Sequence, residues 1–254
     1  MFKSTAFCLL LSCLSHSLMA AELRLYTEEN RPFGYLEAGR PQGMAVQVVE
    51  ELVRRTGEPA QIELVPWTRG YHQVRQQRDA ALFPVVRTAQ REDQFQWVGP
   101  IAVGRTGFYS RRSDRLHVRN LDELRQVGTL AVPKQWYSHE VLAAKGLKNL
   151  YGVATPVDML RLFRYGRVKL IVANDLSLDA MLAEQGMCAD ELQWQFDLMP
   201  TASYIAFSAQ ISPKRVAQWR TQLQAMRADG TLERLYRQWF PQATEDEVAE
   251  LLGR

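Results

Sequence analysis

The stretch from Ile62 to Phe83, IELVPWTRGYHQVRQQRDAALF, decides the fold. Ile62-Glu63-Leu64-Val65 reads as a short strand, Trp67 to Gln77 as a helix entered through Pro66, and Ala80-Ala81-Leu82-Phe83 as a second strand. The same pattern extends upstream. Leu23-Arg24-Leu25-Tyr26 reads as a strand, and Gly43 precedes a helix from Met44 to Arg55 whose apolar face is Val48, Val49, Leu52 and Val53, stopped by Gly57. Strands alternating with helices across short loops imply a parallel sheet covered on both faces.

A second unit follows. Asn120 caps a helix from Leu121 to Gln126, with Glu123 placed to return the bond. Thr129 to Val132 reads as a strand, Ser138 to Lys145 as a helix ended by Gly146, and Tyr151 to Val153 as a short strand. Thr155-Pro156 opens the next helix as cap and first residue, with Asp158 at its positive end and Gly166 beyond it. Lys169 to Ala173 is a buried strand and Leu176 to Glu184 a helix. The chain then changes character: a strand from Ala202 to Phe207, a long helix from Pro213 to Ala228, and a helix capped by Thr231 that reaches Trp239. Two such units with a helical return imply an α/β protein of two lobes, the first completed by the C-terminal segment.

The first twenty residues point to export. Lys3 precedes an apolar run from Ala6 to Leu14, too short to span a bilayer, and small residues follow at Ala20-Ala21. Residues 1–20 are therefore expected to form a cleaved signal peptide. Leu10-Leu11-Ser12-Cys13 offers the alternative of a lipoprotein anchored at Cys13. Either way the exported chain cannot form a disulfide framework, since cleavage after residue 20 leaves Cys188 as its one cysteine. The 31 Lys and Arg residues against 28 Asp and Glu are well mixed, and no basic stripe suggests nucleic acid. His72, His117 and His139 lack metal-ligand spacing, so neither a metal nor a cofactor is expected.

Several pieces then resemble a known group. They are Arg31-Pro32-Phe33 followed by Gly43-Met44-Ala45-Val46; Pro66-Trp67; Asp79 leading through a strand to Thr88-Ala89-Gln90-Arg91; Phe95 to Pro100; Gly166-Arg167-Val168; and Tyr204 to Phe207 with Asp229-Gly230-Thr231-Leu232 and Trp239. In order and spacing they are similar to the amino-acid-type periplasmic solute-binding proteins, bacterial family 3. The resemblance implies a type II periplasmic-binding fold, each lobe a mainly parallel sheet flanked by helices. Lobe one would be residues 22–108 plus 205–254 and lobe two 112–200, with a two-strand hinge near 108–111 and 201–205. It implies a monomer that captures a small polar, carboxylate-bearing solute between its lobes and delivers it to an ABC-type permease, without catalysis.

The resemblance also assigns roles. Arg91, the arginine of its Thr-x-x-Arg motif, would grip a ligand carboxylate, for which a planar guanidinium is matched; a surface ion pair with Glu92 or Asp93 is the alternative. Trp67 falls where the family stacks an aromatic ring on its ligand, and it opens a helix at the carboxyl edge of the sheet, where ligands of α/β proteins gather. Glu28, Glu29 and Asn30, in the loop after the first strand, share that edge. Tyr71, Phe83 and Arg69 are further cleft candidates, with core packing the alternative for the two rings. Trp136 and Tyr137, in the turn Lys134 to Ser138, would supply a second aromatic wall or pack beneath the loop.

Two departures concern the ligand. Pro84 and Val86 stand where the family often has hydroxyl residues, and the lobe-two acid that meets an α-ammonium falls on Asn174, with Asp175 adjacent. A dehydratase-like enzyme on the same scaffold would need Glu28, Glu29 or Asp175 as its acid, and a sensing partner of a separate membrane receptor is the remaining alternative.

Overall fold

The computed structural model describes residues 22–254. The expected signal peptide, and with it Cys13, lies outside the described residues. The first unit forms as the periodicity predicts: β1 (Leu23–Thr27), β2 (Tyr35–Glu37), β3 (Arg40–Gln42), α1 (Met44–Thr56), β4 (Ala60–Leu64), α2 (Trp67–Gln76) and β5 (Ala80–Val86). β1 pairs in parallel with both β4 and β5. Gly57 closes α1 in the left-handed region, as the sequence predicts.

The two longest strands were not legible as such. β6 (Phe95–Arg111) and β10 (Leu192–Ser208) are each 17 residues long and run antiparallel from Leu192 opposite Arg111 to Ser208 opposite Phe95. Between them lie α3 (Leu121–Val127), β7 (Leu130–Pro133), α4 (Tyr137–Ala144), β8 (Leu150–Val153), α5 (Pro156–Arg164), β9 (Leu170–Asn174) and α6 (Asp175–Glu184). The sequence predicts only Ala202 to Phe207 of β10, because Pro200 and the polar residues before it read as loop. The sheet order is β4-β1-β5-β10-β6-β9, while β2-β3 and β7-β8 pair separately. β10 lies antiparallel to β5, and β9 to β6, so the sheet is mixed.

Alternation along each strand divides the apolar residues between faces. In β5, Ala81 and Phe83 join a core with α1 and the C-terminal helices α7 (Pro213–Ala228), α8 (Thr231–Trp239) and α9 (Glu245–Leu252). Ala80 and Leu82 join a second core with Tyr26, Val74 and Phe95 beneath α2. In β9, Ile171 and Ala173 face α5 and α6, whereas Leu170 and Val172 face Leu124 and Leu142 of α3 and α4. The first two cores draw on residues up to 103 and from 205 onward, the other two on residues 108–192. These are two lobes, and β6 and β10 pass from one to the other.

Capping mostly follows the sequence. Asn120 and Thr155 accept from the backbone N–H of Glu123 and Asp158, as expected, although Glu123 returns its bond to the N–H of Arg119. Thr231 is a correction. It is the first helical residue after Gly230, its N–H donates to Asp229 Oδ1, and its hydroxyl accepts from Arg55. The helix α9 was not anticipated, though Thr244 and Glu247 form a capping box at its start.

Candidate functional site

The cleft between the lobes is built on strand ends and helix starts. Gly43 stands at φ 125° immediately before α1, and a side chain there would collide with the Phe33 carbonyl. Only glycine fits. The first N–H groups of α1 reach back to Pro32 and Phe33, from Met44 at 2.9 Å and Ala45 at 3.0 Å. This fixes the loop that follows β1, with Glu28, Asn30 and Phe33 facing the cleft. Trp67 opens α2 directly after Pro66, and Arg91 sits in the turn after β5, its N–H bonded to the Thr88 carbonyl at 3.0 Å.

The opposite wall is the start of α4. Gln135 stands in the left-handed region at φ 62°, an uncommon setting for a residue with a side chain. Its carbonyl accepts two bonds from lobe one, from Trp67 Nε1 and from an Arg91 terminal nitrogen, both at 2.9 Å. Arg91 is 1 % exposed. Its Nε meets Glu140 Oε2 at 2.8 Å and its Nη2 meets Oε1 at 3.1 Å, while Nη1 is buried without a partner. The guanidinium also lies 5.2 Å from the Trp67 ring and 5.3 Å from that of Tyr71. Trp136 borders Glu28 in the wall of the site. Burial pushes the Glu28 carboxyl up to about 8, against smaller opposing effects of Trp136 and Arg91.

These groups enclose a cavity of about 40 Å³, room for a few waters, lined by Glu28, Asn30, Phe33, Trp67, Arg91 and Trp136 among others. Tyr137, Asn174, Pro84 and Val86 complete much of its wall. A larger cleft of about 570 Å³ adjoins it and shares Glu28, Asn30, Trp67 and Trp136. Arg31 of the first lobe and Glu184 of α6 pair across this cleft at 3.5 Å.

Seven of the twelve cleft candidates singled out from the sequence thus line the cavity: Glu28, Asn30, Trp67, Arg91, Trp136, Tyr137 and Asn174. Asn174 lines it with its amide fully engaged, donating to Thr201 Oγ1 at 2.8 Å and to the Arg105 carbonyl and accepting from the Leu176 N–H. Tyr137 is held by a 2.6 Å contact with Thr106 Oγ1, and burial pushes its hydroxyl up to about 12.

The other five do not reach the cavity. Tyr71 stands behind Trp67 at 5.6 Å between ring centres and donates to Gln94. Phe83 is core beneath α1, because alternation turns it away from the cleft. Asp175 accepts from the N–H groups of Arg105 and Leu176, which fixes β6 against the start of α6. A side chain at Gly104 would collide with that carboxylate at 2.6 Å. Arg69 is exposed, and Glu29 accepts from the Leu36 N–H at the rim.

Sequence reasoning missed Glu140 and the Gln135 carbonyl. The left-handed Gln135 was not readable, and an acid in the first turn of a helix reads as a dipole partner. Among the described residues no helix is long and apolar enough to cross a membrane, and no cluster of His, Cys, Asp and Glu could hold a metal.

The architecture has known counterparts. A histidine kinase sensor domain with similarity to periplasmic binding proteins superimposes with a TM-score of 0.79 at 20 % identity, covering 87 % of this chain and 96 % of its own. The arginine-, lysine-, histidine-binding protein ArtJ from Geobacillus stearothermophilus gives 0.78 at 14 %, covering 92 % and 100 %. A His/Glu/Gln/Arg/opine family-binding protein from Silicibacter pomeroyi, in complex with lysine, gives 0.71 at 18 %, covering 86 % and 96 %. At such identities the likeness establishes a two-lobed fold and nothing about the ligand. Among curated proteins none matches the chain. A family model, in contrast, matches residues 23–242, nearly all that the structure describes, and the chain belongs to the bacterial extracellular solute-binding proteins, family 3.

Proposed function

We propose that this protein captures a small polar solute between its lobes outside the cytoplasmic membrane and hands it to an ABC-type importer, acting as a monomer without catalysis. The observation that carries the reading is the cavity whose wall is shared between lobes, with Trp67 and Arg91 of the first bonded to Gln135 and Glu140 of the second. Opening the cleft would break these bonds and expose Glu28, Trp67 and Arg91 to an arriving solute. The natural hinge is where β6 and β10 pass between the cores, Gly104 to Gly107 opposite Asp197 to Thr201, a few residues before the 108–111 and 201–205 that the resemblance implies. The ladder is irregular beside this stretch, which gives the strands room to twist.

The test is a thermal-shift panel of small polar metabolites on the exported chain, followed by solution scattering with the best stabiliser. One solute class is expected to raise the melting temperature saturably and to compact the protein, and Arg91→Ala to abolish both effects. If no compound stabilises the protein, capture is wrong. Uptake of that solute in cells lacking the protein separates import from sensing: unchanged uptake would remove the importer.

A further inference from the structure

The charge of the cleft narrows the kind of solute. Arg91 presents Nε and Nη2 to the two oxygens of Glu140, the paired geometry in which a guanidinium takes a carboxylate. The place a ligand carboxylate would need is filled by the protein's own. On the facing side, Glu28 lines both the cavity and the adjoining cleft. Among the described residues Glu28 forms no ion pair, and the nearby charge it feels, Arg91, is already neutralised by Glu140. Beside it Asn30 Oδ1 is buried and has no donor. The buried unmet groups on this side are acceptors, and the rings of Trp67 and Trp136 border them, while of the cations in the adjoining cleft Arg31 and Arg161 are paired with Glu184 and Asp158 and Lys134 is exposed. Acceptors and aromatic faces both attract a cation.

We infer that the cleft takes a small organic cation without a carboxylate, an amine or a guanidine, received by Glu28 and Asn30 beside Trp67 and Trp136, while Glu140 supplies the carboxylate that Arg91 requires. The free Nη1 of Arg91 remains to donate to an uncharged acceptor on the same molecule, such as a hydroxyl or carbonyl. An arriving cation gives Glu28 the partner it lacks, so the acid ionises and a proton leaves. Amine binding therefore tightens as pH rises toward 8. A carboxylate laid beside Glu28 would bind more weakly over the same range.

The inference rests on the capture reading, and matched pairs of compounds distinguish the failure of one from the failure of the other. Calorimetry on the exported chain compares agmatine with arginine, cadaverine with lysine, and tyramine with tyrosine. Within whichever pair binds, the amine is expected to bind at least about tenfold tighter than its amino acid, and Glu28→Gln to weaken it by about tenfold or more. Glu140→Gln is expected to release Arg91 and to narrow or reverse the preference. An amino acid that binds the unaltered protein tighter than its amine overturns the inference and leaves capture standing. Absence of binding by all six compounds and by the metabolite panel overturns capture itself. Should Glu140→Gln not fold, the comparison in the unaltered protein still decides.

Discussion

The two walls of the cleft are built on different principles. The wall of lobe one carries groups that a solute would bind: Glu28, Asn30, Trp67 and Arg91, set on loops pinned by α1 and α2. The wall of lobe two carries acceptors that the protein supplies for itself: a carboxylate at Glu140 and a carbonyl at Gln135, each bonded to lobe one. One wall receives the solute and the other occupies Arg91. The difference explains how the cleft closes without leaving Arg91 as a bare buried charge, whose isolation would cost several kcal/mol.

Removing the receiving side of this contact is expected to have the largest effect. Arg91→Ala loses the pair with Glu140, the bond to Gln135 and the packing on Trp67 and Tyr71. Glu140 is about a quarter exposed, which limits the penalty of leaving it alone. Destabilisation of roughly 2–4 kcal/mol is expected in urea unfolding. An unchanged midpoint would mean that the contact contributes nothing.

The side that occupies Arg91 should matter less to stability and more to shape. Glu140→Ala leaves Arg91 unpaired, but opening of the cleft lets water reach it. A loss of about 1–2 kcal/mol is expected together with a larger radius of gyration. A radius equal to that of the unaltered protein would show that closure does not depend on the pair.

Glu28 sharpens the contrast through pH. Its carboxyl titrates higher in the fold than the ordinary 4.5, at about 8. The folded form therefore binds its proton more tightly, and this contribution is full below about 4.5 and lost as pH rises through 8. Stability should fall across that window by roughly 1 kcal/mol or less per pH unit, and Glu28→Gln should flatten the slope. The neighbours that act on the Glu28 carboxyl are Trp136 and Arg91. A slope identical in the variant would assign the pH dependence elsewhere.

The smallest effect is expected at Tyr137. Tyr137→Phe removes the contact with Thr106 and should cost about 0.5–1.5 kcal/mol without opening the cleft.

The same asymmetry governs what the sequence revealed. The receiving wall was legible because its residues sit in local motifs: Pro66-Trp67 at a strand end, Thr88 to Arg91 after a strand, and the loop after β1. Glu140 lies 49 residues from Arg91, and nothing local announces a pairing that only the fold creates. Helix ends were readable from Gly57, Asn120 and Thr155, where one side chain or one glycine settles the boundary. The long strands were not. Gly99-Pro100, Gly104 and Gly107 in β6 and Pro200 in β10 are residues that ordinarily interrupt a strand. Here they fall where β6 and β10 run between the lobes or leave one sheet environment for the next. Phe83 and Asp175 were misread for a related reason: proximity in sequence to a cleft residue says nothing about which side of the backbone a group occupies.

The place of β10 between β5 and β6 bears on the order in which the molecule can be made. A chain emerging from its N-terminus completes β1, β4 and β5 within its first third, yet the strand that joins them to β6 arrives only near residue 208. Residues 108–192 contain the second lobe's own cores and can associate before that strand is available. The first-made lobe is therefore the last to be finished, its sheet held open until most of the chain has been synthesised.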